Sequence, residues 1–113
     1  MQICENHTMN QRWLESYFTI FNAGLFDGKL DGDIKVRYED LTDTECVGYF
    51  DPHDGVSGTL GVSNELSQQA CLRVLVHEMI HAWDYAQRGF TCHDQIFDRK
   101  AQECSVLLGW QVS

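Results

Sequence analysis

Two histidines four residues apart, His77 and His81, bracket Glu78 in the run Val76-His77-Glu78-Met79-Ile80-His81-Ala82-Trp83. On a helix, positions i and i+4 lie one turn apart on one face, so both imidazoles reach a single ion. Glu78 points to the flank of that face, where it can take a proton from an attacking water. The pattern His-Glu-x-x-His therefore predicts a hydrolytic zinc site for a physical reason. A solvated polar patch is the competing explanation. Val74, Leu75, Val76, Met79, Ile80 and Trp83 crowd the motif and argue against it. Polar groups set into an apolar segment need partners, and one metal ion satisfies several at once.

A catalytic zinc site takes three protein ligands and keeps one position open. His93 is the favoured third ligand. It heads a stripe of Phe97, Ala101, Cys104 and Leu108 at helical spacing, and a helix packing that stripe across the motif helix would deliver His93 to the ion. Three other donors compete: Asp84 on the same helical face, Glu103 further along the chain, and Cys92 as a soft ligand beside His93. His7 falls in a cap and His53 in a turn, so both read as surface residues. Tyr49 and Tyr85 are nominations for an oxyanion donor, each with a core or surface role as the alternative.

The elements that must position these groups can be read in order. Thr8 and Gln11 form a capping box, predicting a first helix from there to about Gly24. Trp13, Tyr17, Ile20 and Phe21 would form its apolar stripe, with Leu14 and Phe18 beside it. Asp27-Gly28 and Asp31-Gly32 make a turn-rich link. Ile34, Val36 and Tyr38 alternate with charged residues as in a half-buried strand, and Cys46–Phe50 and Thr59–Ser63 are two further strands around a turn at Asp51-Pro52-His53-Asp54-Gly55. Short links favour an antiparallel sheet. Ser63 or Asn64 then caps a helix that runs to Arg88 and stops at Gly89. On a helical wheel Leu72, Leu75, Val76, Met79, Trp83 and Ala86 share the face expected to pack on the sheet. His77 and His81 lie opposite, near Val74 and Tyr85. Residues 109–113 read as a short tail.

With 113 residues, 43% hydrophobic and 12% aromatic, the chain reads as one domain, residues 1–113, with a real core. No run approaches a membrane span, and no apolar leader is visible. Eight basic residues stand against seventeen acidic ones, a net charge of −9, which disfavours general electrostatic binding to nucleic acid. Cys4, Cys46, Cys71, Cys92 and Cys104 are odd in number and contain no Cys-x-x-Cys pair. Free thiols in a reducing cytoplasm are expected, and no zinc ribbon.

Several stretches, taken in order, resemble the SprT-like family of zinc metallopeptidase-like domains. Phe18-Thr19-Ile20-Phe21-Asn22 and Leu25-Phe26-Asp27-Gly28-Lys29-Leu30 resemble the family's opening segment. Cys46-Val47-Gly48-Tyr49 resembles its Cys-Ala-Gly strand, and Val62-Ser63-Asn64-Glu65-Leu66 its entry to the active helix. Val76–Ala82 is close to its core motif, and His93-Asp94-Gln95-Ile96-Phe97 resembles the segment holding its third zinc histidine. The resemblance implies a zincin-like domain with a helix, a small sheet and two more helices, which agrees with the α+β reading of the residues: an N-terminal helix, a small three-stranded antiparallel sheet, the motif helix and a C-terminal helix. It implies one zinc ion on His77, His81 and His93, with Glu78 as base. Cys92 and Asp94 stand where the family has glycines around the third histidine, which leaves the loop geometry there open. DNA as a partner follows from family analogy alone. The expected activity is zinc-dependent hydrolysis of a protein or peptide. The alternative from a different class is a zinc-binding adaptor module with little or no proteolysis.

Overall fold

The computed structural model describes residues 9–30, 34–53 and 57–112. Its order is α1 (Gln11–Phe26), β1 (Ile34–Glu39), β2 (Gly48–Pro52), β3 (Gly58–Ser63), α2 (Gln68–Arg88) and α3 (Gln95–Leu108). This is the expected α+β succession of one helix, a small sheet and two helices.

The cap of α1 is Asn10, whose side chain accepts the Trp13 amide at 2.9 Å. Thr8, expected in that role, lies outside the described residues, as do His7, Cys4 and the Asp31-Gly32 turn. Asparagine is as good a cap as threonine and stands closer to the first helical residue. The helix passes through Gly24 and ends where Asp27 adopts a left-handed φ of 55°. One interior glycine costs only about 1 kcal/mol, and continuing buries Leu25 and Phe26. The buried stripe is Leu14, Phe21, Leu25 and Phe26, whereas Ile20 is 59% exposed. Asn22 then fixes the exit turn: its side chain accepts the Leu30 amide and its carbonyl the Gly28 amide, both at 2.9 Å.

The sheet order is β1-β3-β2. β2 and β3 pair antiparallel as a hairpin, but β1 pairs with β3 in parallel, which corrects the all-antiparallel expectation. A short link does not oblige sequential strands to be neighbours. Residues 40–47 easily span the ~10 Å to the second strand position, and buried Leu41 anchors the crossing. Asp51 and Pro52, expected in the turn, close β2 instead; a proline is tolerated there because β2 is an edge strand. Asp54-Gly55 lies outside the described residues. On the opposite edge the Gln11 side-chain amide covers β1, donating to the Val36 carbonyl and accepting from the Tyr38 amide.

Helix α2 starts later than expected, with Ser67 as N-cap. The Ser63 and Asn64 amides are still committed to the sheet region, bonding the Val47 and Glu39 carbonyls at 2.9 Å each. The helix stops at Gly89, φ 78°, a conformation glycine adopts without a Cβ penalty. Strand β2 meets a different side of α2 from the apolar face of the wheel, the side that carries Val74, Glu78 and Tyr85: a Cβ on Gly48 of β2 would lie 2.4 Å from Val74 and 3.3 Å from Glu78, and Tyr85 stacks edge-on against Phe50. Leu75, Val76 and Met79 of the apolar face share the core cluster with Leu60 and Val62 of β3. Ala86 is exposed. A wheel ranks faces by apolarity, but α2 is covered on several sides, so apolarity does not say which neighbour lies where.

Helix α3 buries Phe97, Ala101 and Cys104, with Leu108 half-buried, as its stripe predicts. Lys100 on it is buried as well. Its Nζ donates to the Leu25 carbonyl at 2.9 Å and to Glu103 at 3.0 Å, and lies over Phe26 and Trp83. It thus ties α3 to the end of α1. Among the described residues, no helix is long and apolar enough to cross a membrane.

Candidate metal centre

His77 and His81 stand one turn apart on α2 with ring centroids 5.0 Å apart. His93 lies in the link between α2 and α3, immediately before Asp94, the N-cap of α3. Its Nε2 is 2.9 Å from that of His81 and 3.3 Å from that of His77. A neutral imidazole carries one N–H and one lone pair, so with the N–H on Nδ1 the three Nε2 atoms would turn their lone pairs on one point. A tetrahedral ion with Zn–N near 2.0–2.1 Å spaces its ligands about 3.3 Å apart. The triangle therefore has the chemistry and nearly the size such an ion requires. Phe97 packs against all three rings, with centroid distances of 5.1, 4.6 and 4.8 Å to His77, His81 and His93.

Burial holds His81 well below the ordinary imidazole range, at about 4, with His77 and His93 adding to the effect and Asp84 opposing it. The ring is neutral at neutral pH, as a ligand must be. Glu78 is only 8% exposed, and burial pushes its carboxyl up to about 7. Among the described residues its carboxylate makes no hydrogen bond or ion pair. A buried carboxyl without a protein partner, beside converging imidazoles, is a group kept for something bound there. Gly48, Tyr49 and Phe50 of β2, Glu78 and His81 of α2, and Thr91 line a small cleft at this point.

His77, His81 and His93 are thus brought together, and among the described residues they form the one three-residue cluster of metal-binding type. The competing donors are engaged elsewhere. Glu103 pairs with Lys100. Asp84 is fully buried and held by Arg88 and Thr91. The Cys92 thiol donates to Asp94 at 3.3 Å, and that bond pushes its pKa up, away from a thiolate. Tyr49, nominated as an oxyanion donor, lies across Gly61 on the sheet face turned away from α2. Its hydroxyl donates to Glu39, and burial together with that carboxylate pushes its pKa up to about 12. His53 is half-exposed near Thr59 and Asp51, consistent with its surface reading. What sequence reading missed is Thr91, whose hydroxyl lies 2.8 Å from His81 Nδ1. A threonine in a polar link carries no periodic signal, and only the proximity reveals it.

A histidine pair with an intervening glutamate on a helix, laid against a small mixed sheet and completed by a histidine leading into the next helix, defines a zincin-type arrangement. The model of the SprT-like family matches residues 14–113, and the chain belongs to that family. No curated protein matches it.

Proposed function

We propose that this chain is a zinc-dependent peptidase acting on a protein or peptide substrate, with His77, His81 and His93 as the zinc ligands. The observation that carries the reading is the convergence of three Nε2 atoms within reach of one ion, with the Glu78 carboxyl, unpartnered among the described residues, buried alongside. When bound, zinc supplies Lewis-acid polarisation of a carbonyl oxygen and acidifies water. Glu78 accepts a proton from the attacking water and returns it to the leaving amine. Burial raises its carboxyl in the metal-free chain, and a bound dication would draw it back toward the carboxylate form that accepts the proton.

The edge strand β2 supports a peptide substrate. It pairs with β3 on one side only and lines the cleft beside Glu78 and His81. An extended substrate segment adding to its outer edge would lie alongside the imidazole cluster, held mostly by main-chain hydrogen bonds. The net charge of −9 argues against a nucleic-acid partner. The four described cysteines are free, which supports a reducing compartment such as the cytoplasm.

Metal content and cleavage of an unfolded protein substrate test this together. Wild type should hold one zinc per chain and cleave. Glu78→Gln should keep the zinc and lose about 10²–10⁴-fold in rate. Zinc binding with equal inactivity of both proteins would make the chain a metal-binding module instead, and absence of zinc from wild type would remove the proposal.

A further inference from the structure

The link that carries His93 is tied to α2 by a continuous polar network that the hydrolytic chemistry does not itself require. Thr91 Oγ1 donates to Asp84 Oδ2 at 2.9 Å. A hydroxyl has a single proton, so toward His81 Nδ1, 2.8 Å away, Thr91 can only accept. The proton of the His81 ring is thereby assigned to Nδ1, and Nε2 presents its lone pair toward His77 and His93. Asp84 is 0% exposed, and Arg88 holds it with a fork: Nε to Oδ1 at 2.6 Å and a terminal nitrogen to Oδ2 at 2.7 Å. The same guanidinium binds Asp94, at 2.9 and 3.2 Å. Asp94 in turn caps α3 through the Ile96 and Phe97 amides, and it is the residue next to His93.

We propose that Thr91, anchored by Asp84 and Arg88, is a positioning residue for the metal centre: it fixes the His81 tautomer, and the Arg88 bridge to Asp94 sets the place of His93. This rests on the reading of the triad as a metal site. The network explains how His93 is presented without flanking glycines. Glycines would let a loop bend into place, whereas here charge-assisted bonds hold it there. Lysine at position 88 could not do the same, because a single ammonium lacks the planar fork that grips two carboxylates at once.

The test combines metal affinity with the ring tautomer. Zinc affinity is measured by competition with a chromophoric chelator for wild type, Thr91→Val, Thr91→Ser and His81→Ala. Thr91→Val should bind zinc 10–100-fold more weakly, and Thr91→Ser, which restores the hydroxyl, should stay within a few-fold of wild type. Wild-type affinity in Thr91→Val alongside loss of zinc in His81→Ala would overturn the positioning role while leaving the metal site standing. Failure of wild type to bind zinc would overturn the site and the role together. Imidazole ¹⁵N shifts of the metal-free wild-type protein give a second readout that needs no folded variant. A proton on His81 Nδ1 is expected, and a proton on Nε2 would overturn the assignment.

Discussion

At the residue scale, Glu78 and His81 are displaced from their ordinary proton affinities in opposite senses by the same burial. Glu78 rises from 4.5 to about 7 and His81 falls from 6.5 to about 4. In the metal-free protein, Glu78 makes the native state bind more protons than the unfolded state between those values, so its contribution to stability falls as pH rises toward 7. His81 does the reverse: below 6.5 the unfolded chain binds the extra proton, so its contribution rises with pH up to that point. The two slopes oppose each other between pH 4.5 and 6.5. Urea unfolding of the metal-free protein should therefore show a shallow pH dependence there. Glu78→Gln should remove one slope and expose a clear rise in stability with pH; an unaltered profile would mean that Glu78 is not buried as a neutral acid.

At the element scale, the distance between α2 and β2 decides where Glu78 sits. Gly48 allows the helix to approach, since any Cβ there would lie 2.4 Å from the Val74 side chain. Gly48→Ala should cost about 1–3 kcal/mol as an overpacking change and move Glu78 relative to the imidazoles. Reduced activity at unchanged zinc content, with a lowered denaturation midpoint, is the expected pair of readings. Met79, 0% exposed on α2, is the contrasting case. Met79→Ala should cost about 2–5 kcal/mol through a cavity, measured by the same unfolding curves. The strand and helix stretches were legible because period-2 and period-3.6 patterns are written in Val36, Tyr38, Phe97 and Cys104. The parallel pairing of β1 with β3 was not, because strand order depends on where residues 40–47 cross, and no periodicity encodes that.

At the scale of the whole molecule, the core and the proposed ion are linked in stability. Phe97 belongs both to the hydrophobic cluster and to the packing of the three imidazoles, so filling the metal site braces the α2–α3 contact. A ligand that binds only the native state stabilises it by about 4 kcal/mol at a thousandfold excess over its dissociation constant. Removing zinc with a chelator should thus lower the thermal midpoint by several degrees, and added zinc should restore it. A midpoint indifferent to chelator would separate the ion from the fold.

The sequence by itself marked the candidate donors: His77, Glu78 and His81 by helical spacing, and His93, among several competitors, by its place ahead of an apolar stripe that must be buried. Those are local relations, fixed by the geometry of one helix or one helix start. Only the tertiary structure decided that β2 meets α2 on its Val74–Glu78–Tyr85 side, that β2 is the edge strand beside Glu78, and that Thr91 lies against His81 Nδ1. Each of these depends on how separate segments come together in space. The Arg88–Asp94 bridge shows the difference most clearly: Arg88 ends α2 and Asp94 caps α3, and only folding sets the guanidinium between Asp94 and the buried carboxylate of Asp84.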